Sequence, residues 1–182
     1  MLKIIEDENK EFSNIINKKY FLYGNIKPDG IFQSTPSQHK REEALPYILE
    51  KIEKLKNCNL RTQEDIDKFS VALGIVCHFL SDFYCMPHVQ RWGDYKGLKR
   101  IVKRIEHIYY EFKISFHKNE IRQVVSSECY NVESPVRFIE ESFKRYEEDM
   151  NLNKDVYYAT VVCNSIVSYI VKNQILKTKK AI

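Results

Sequence analysis

Chain breakers are scarce in this sequence: five Gly and five Pro in 182 residues. Folds made of many short strands joined by tight turns need more of both, so a Gly-rich β architecture is disfavoured. Cysteine is sparse and odd in number, with Cys58, Cys77, Cys85, Cys129 and Cys163 and no C-x-x-C pair. That excludes a disulfide framework and fits a reducing compartment. The opening MLKIIEDENK has no long apolar stretch of the secretory kind. A cytoplasmic location is therefore expected, with export by an unseen route left open. The longest apolar run, Val156–Val171, is interrupted by Asn164 and Ser165 and falls short of the ~20 residues that span a bilayer. It reads as a buried helix. A large charge of one sign is also missing, since the formal net charge is only +4. No dedicated nucleic-acid binding is expected without a basic stripe. Lys99, Arg100, Lys103 and Arg104, and the tail Lys177, Lys179 and Lys180, read as solvated surfaces. A weak attraction to phosphate groups or to an anionic membrane surface is the sharper alternative.

What the chain does have is helical patterning. Apolar residues make up 43% and charged residues 30%, enough for one sizeable core, so residues 1–182 read as a single all-α domain, a multi-helix bundle. The first helix is expected over about residues 3–22, with Phe12, Ile15 and Ile16 inward. Half of all Gly and Pro then fall at 24, 28, 30, 36 and 46, which predicts a long irregular loop. Pro46 suits the first turn of a second helix with the stripe Leu45, Ile48, Leu49, Ile52 and Leu55. Thr62 is the expected N-cap of a third helix reaching about Met86, with Ile66, Phe69, Leu73, Val76, Cys77 and Leu80 as its wide apolar face. Pro87 and Trp92-Gly93-Asp94 should break it. A fourth helix, from Tyr95 or Leu98, has Leu98, Ile101, Val102, Ile105 and Ile108 as its expected core face. Ser134-Pro135 opens a fifth, with Val136, Ile139, Phe143 and Tyr146 on one side, and the last runs from about Asp155 to Lys177.

Four of the five histidines fall into an ordered series. His78 and Asp82 are four residues apart on the third helix, and His107 and Glu111 repeat that spacing on the fourth. Residues at i and i+4 share a helix face, with Cβ atoms about 5–6 Å apart, and imidazole and carboxylate are both good zinc ligands. A single such pair is weak, since acidic residues at 25 of 182 positions give any His a roughly one-in-seven chance of it. The combination is stronger: His39 after the irregular loop, then His78-x3-Asp82-x5-His88, then His107-x3-Glu111. Two ligands from each of two neighbouring helices is how bundles build metal sites in their cores. A break at Pro87 lets His88 turn towards a different ion from the one His78 holds.

Gly24-Asn25-Ile26-Lys27-Pro28-Asp29, His39-Lys40, His78-Phe79-Leu80-Ser81-Asp82, Pro87-His88 and His107-x3-Glu111 together resemble the zinc-dependent phospholipase C family, with the S1/P1 nucleases as more distant relatives. The match in order and spacing runs from about residue 20 to 111. The resemblance implies an all-α fold and a zinc cluster that hydrolyses phosphodiester bonds with a metal-activated water. It assigns His39, His78 and Asp82 to one Zn2+ and His88, His107 and Glu111 to a second, with Asp82 able to bridge to a third ion. It places Asp29 where the family has a carboxylate proposed as general base. Read without the resemblance, Pro-Asp-Gly is a turn sequence.

The chain also departs from the family pattern. Pro87 immediately precedes His88 instead of standing two places before it, and no His occurs before His39, which leaves the third metal site open. Gly30 and Pro36 stand where secreted choline-lipid enzymes carry aromatic residues, so no choline pocket is expected. The implied partner is a phosphodiester substrate, with phospholipid as one form of it. A nuclease on the same scaffold and a non-catalytic metal-binding helical protein are the two alternatives.

Overall fold

The computed structural model describes residues 15–29, 40–90, 96–116 and 131–180. Among them are α1 (Lys18–Ile26), followed by a 3-10 turn (Lys27–Asp29), α2 (Arg41–Asn57), α3 (Gln63–Phe83), the one-turn α4 (Met86–Val89), α5 (Gly97–Phe116), α6 (Pro135–Glu147) and α7 (Leu152–Lys180), and no strand. The fold is all-α, as the scarcity of breakers and the helical periodicity predict.

Helix α3 is the centre around which the others are arranged. It starts with a capping box: the Asp65 backbone N–H donates to Thr62 Oγ1 at 3.2 Å, and the Thr62 N–H donates to Asp65 Oδ2 at 2.9 Å. Each bond satisfies a donor that the first turn would otherwise leave unpaired. Hydrogen bonding from the Thr62 side chain, and then from the Thr62 backbone N–H, lowers the pKa of the Asp65 carboxyl. Ten of the 21 residues of α3 are buried, including Phe69, Leu73, Val76, Phe79, Leu80 and Phe83. They face α1, α2 and α7, which all pack on this one helix. Burying a large aliphatic or aromatic side chain contributes about 1.5–3 kcal/mol, so α3 contributes a large share of the packing energy.

The contact between α1 and α3 is a backbone-to-backbone crossing. A Cβ on Gly24 would run into the Val71 carbonyl, and a Cβ on Gly74 would run into the Phe21 carbonyl and come within 2.9 Å of the Asn25 nitrogen. Gly24 is therefore a packing residue inside α1, and the expected end of that helix at residue 22 moves to Ile26. Asn17 fixes the other end of the crossing. Its side-chain oxygen caps α1 by accepting from the Lys19 N–H, its Nδ2 donates to Asp67 Oδ1 at 2.8 Å, and its own N–H donates to Ser70 Oγ at 2.8 Å.

Three further expectations change. Helix α2 begins at Arg41, with Pro46 inside it, not at its start. Of the expected irregular stretch, residues 24–29 and 41–46 are helical and residues 30–39 lie outside the described residues. The expected core face of α5 is solvent-exposed: Leu98 at 77%, Ile101 at 58%, Val102 at 45% and Ile105 at 61%. Periodicity identifies one face of a helix, but burial also requires a neighbour that covers that face. On α6, Ile139, Phe143 and Tyr146 are buried as expected while Val136 is exposed. Helix α7 buries Val161, Val162, Cys163, Ile166, Val167, Ile170 and Val171. Its Gln174 side-chain amide donates to the Leu55 and Cys58 carbonyls at the end of α2. No described helix is long and apolar enough to cross a membrane.

The glycine crossing gives a prediction whose sign is unusual. In an ordinary helix interior, Gly→Ala stabilises by about 1 kcal/mol. Gly74→Ala should instead destabilise by about 2–3 kcal/mol, because the added methyl must push two helix backbones apart. Urea denaturation of the variant and the parent measures this, and an unchanged or raised midpoint would contradict the crossing.

Candidate metal centre

The candidate site forms where α3 ends. His78 and Asp82 are one turn apart, and the His78 Nε2 lies 3.2 Å from Asp82 Oδ2. The chain leaves the helix at Tyr84, where the Tyr84 and Cys85 N–H groups donate back to the Ser81 and Asp82 carbonyls at 3.2 Å. It then re-forms one turn as α4. The break thus precedes Pro87, which sits buried in the first turn of α4. That turn swings His88 back towards α3, so its Nε2 comes to 3.7 Å from Asp82 Oδ1. The carboxylate of Asp82 lies between two imidazoles, one oxygen towards each ring. The site is largely enclosed, with side-chain exposures of 11% for His78, 15% for Asp82 and 26% for His88. The His78 ring also packs edge-on against Phe79, with centroids 5.4 Å apart, and Phe79 in turn meets Tyr47 of α2.

The position of α4 is set from a distance. Cys85 supplies no side-chain cap. Asp155, buried in α7 and 69 residues away, accepts the Met86 N–H on Oδ2 at 2.8 Å and the Tyr146 hydroxyl on Oδ1 at 2.6 Å. Tyr84 is buried beside this group, stacked on Tyr158 with centroids 5.8 Å apart, and its hydroxyl donates to the Ile139 carbonyl at 3.1 Å. Burial, first of all, pushes the Tyr84 phenol far above its usual range, so it remains a neutral donor. Asp155 is thus a positioning residue for His88. Nothing in the sequence marks it beyond its place near the start of the last helix.

The other sequence candidates are placed as follows. Asp29 closes the 3-10 turn after α1; that turn lies against α3, with Pro28 buried, while the Asp29 side chain is outside the described residues. His107 and Glu111 fall within α5, and their side chains are likewise outside them. His39 lies outside the described residues altogether. On α5, Lys103 is the one half-buried residue between Gly97 and Glu106. Positions 107 and 111 follow it at successive four-residue steps, which is the same face of a helix. That face is opposite the exposed stripe at 98, 101, 102 and 105.

Among the described residues, no three His, Cys, Asp or Glu side chains form a group able to hold a metal ion. The donor chemistry present does fit zinc, which takes imidazole nitrogen and carboxylate oxygen and usually four ligands. Beside Asp82 and His88 is a cavity of about 230 Å³, with Lys40, Arg41, Phe143 and Glu147 among its other walls. The Arg41 guanidinium stacks 4.1 Å above the Phe143 ring, and its Nε is buried with no hydrogen-bond partner. The sequence offers no signal for Arg41, because its relation to Asp82 exists only once α2 and α3 pack.

If Asp155 holds α4 in place, Tyr146→Phe should cost about 2 kcal/mol, since it leaves a buried carboxylate short of one donor. The same variant should bind less zinc, because His88 loses its fixed position. A variant as stable as the parent in urea, with unchanged zinc content by atomic absorption, would contradict this role.

A family model described as "Zinc dependent phospholipase C" matches residues 1–155. No curated protein and no solved structure matches the chain. The match spans α1 to α6 and every candidate ligand, together with Asp155 at its end. The chain belongs to the zinc dependent phospholipase C family, whose members are zinc-dependent hydrolases.

Proposed function

We propose that this protein hydrolyses a phosphodiester bond, as a phospholipase C-type enzyme, at a zinc centre built around Asp82. The observation that carries the reading is the Asp82 carboxylate held between His78 and His88, 3.2 and 3.7 Å from their Nε2 atoms. It lies in a chain whose residues 1–155 match a zinc-dependent lipase family.

In this reading His39, His78 and Asp82 would hold one zinc ion and His88, His107 and Glu111 a second, with Asp82 able to bridge to a third. Zinc at such a centre supplies Lewis acidity: it polarises a phosphoryl oxygen and brings the pKa of bound water towards ~7. The chain's own groups do the rest. Asp29, as general base, accepts the proton of the attacking water. The 3-10 turn that ends at Asp29 packs against α3. Arg41 lines the cavity, and guanidinium donors bind phosphate oxygens well. Stacking on Phe143 restricts its rotamers and so lowers the entropy lost on binding. The cavity there is small beside the ~300–1,000 Å³ of pockets that enclose a drug-sized ligand. It suits a phosphoryl group and its immediate substituents, with any acyl chains left outside.

The test uses a nitrophenyl phosphodiester and the purified, zinc-reconstituted protein. About two zinc ions per chain and hydrolysis of the diester are expected. His78→Ala should lose metal and activity together. Asp29→Asn should keep its zinc and lose about a hundredfold or more in kcat, the usual scale of a positioned general base. Less than half an equivalent of zinc in the parent protein, or full activity in His78→Ala, would overturn the reading.

A further inference from the structure

The helix that carries His107 and Glu111 has a second face with no role in the metal centre. Leu98, Ile101, Val102 and Ile105 lie on one side of α5 and are all exposed, from 45% to 77%. Their spacing, i, i+3, i+4 and i+7, makes a continuous stripe about 10 Å long at 1.5 Å per residue. Large aliphatic side chains exposed singly are ordinary; four in one stripe mark an interaction surface. On the helix wheel Lys99 falls on one edge of this stripe and Arg104 on the other. Residues 96–106 contain five cationic side chains, at 96, 99, 100, 103 and 104, against one carboxylate, Glu106. That carboxylate is already engaged by Lys103 at 2.7 Å. This one segment therefore carries as much net positive charge as the entire chain, +4.

We infer that α5 docks on an anionic phospholipid surface, with Leu98, Ile101, Val102 and Ile105 entering the acyl boundary and the flanking cations meeting the phosphates. The charge selects this occupant. A second copy of the chain would bring another cationic segment against the first, and like charges across a symmetric contact repel. A protein partner would be expected to find aromatic anchors in a pocket, and the stripe is wholly aliphatic and convex. A helix with an aliphatic stripe and Lys and Arg at its margins has the amphipathic character of one that lies in the plane of a membrane interface, sunk about 5–10 Å. The long stems of Lys99 and Arg104 let their charges reach the headgroups while the helix sits lower.

The register of α5 gives the arrangement a consequence. The stripe and positions 107 and 111 are on opposite sides of one helix, so a membrane under the stripe does not compete with the face that bears the ligand pair. The inference rests on the exposure and charge of α5 alone and does not require the zinc reading.

Co-sedimentation with vesicles tests it, using the full chain, vesicles of phosphatidylglycerol mixed with phosphatidylcholine, and vesicles of phosphatidylcholine alone. The parent protein should pellet with the anionic vesicles, and added salt should weaken this, because screening shortens the reach of the cations. Ile101→Gln with Ile105→Gln should lower partitioning by about tenfold or more, since two buried aliphatic side chains are lost from the contact. Arg100→Gln with Arg104→Gln should lower it by about tenfold on anionic vesicles and leave phosphatidylcholine unaffected. These positions are exposed, so circular dichroism and urea midpoints should match the parent. No binding by the parent, or equal binding by the isoleucine variant, would overturn the proposal. So would a concentration-dependent dimer that Ile105→Gln dissolves, which would assign the stripe to self-association. Vesicle binding without diester hydrolysis would count against the catalytic reading alone, and hydrolysis without vesicle binding would count against this surface alone.

Discussion

A helix satisfies its own backbone hydrogen bonds, and that lets α3 be buried on several sides at once without stranding polar groups. The remaining architecture depends on this burial. Helices α1, α2 and α7 each lose apolar surface against α3, and the closest approach, at Gly24 and Gly74, is possible only because neither residue has a side chain. With the helix fixed this firmly, its last two turns become a rigid support. His78 and Asp82 project from them at a spacing set by helix geometry and not by a loop, which is the condition for two ligands to hold one ion at zinc-ligand distances.

The centre is completed by an element with little stability of its own. A four-residue helix such as α4 does not persist in isolation, because nucleation fixes several residues for very few hydrogen bonds. Here Asp155 supplies the missing partner for Met86, and Tyr146 and Tyr84 enclose that contact in a layer of aromatic rings. The buried carboxylate has a hydrogen bond on each oxygen, which offsets the cost of taking it out of water. Sequence distance is thereby converted into site geometry: residue 155 determines where residue 88 points. That side chain is one of the links between the candidate site and the second half of the chain, beside the Tyr84–Ile139 hydrogen bond.

Much of this was legible from residue types and spacing. The Thr62 cap, the buried faces of α2, α3 and α7, the Ser134-Pro135 start and the His78–Asp82 pair follow from local rules, because helix periodicity and capping are local physics. The misread features all depend on a neighbour. Gly24 is a breaker when considered alone and a contact residue once Val71 is beside it. Pro46 is compatible with a helix start without requiring one, and α2 begins five residues earlier. The stripe on α5 has the pattern of a core face, yet among the described residues no helix buries it. The pairing of His88 with Asp82 could be anticipated only loosely, since it depends on how Tyr84 and Cys85 turn the chain. Asp155 and Arg41 carried no local signal at all.

The proposed function places Asp82 at a zinc centre with His78 and His88 on its two sides. A crystal of the zinc-loaded protein, with data collected just above and just below the zinc absorption edge, addresses this directly. Anomalous peaks are expected with His78 Nε2, His88 Nε2 and the Asp82 oxygens at coordination distances of about 2.0–2.2 Å. Zinc located elsewhere, with no metal at the Asp82 carboxylate, would contradict that placement.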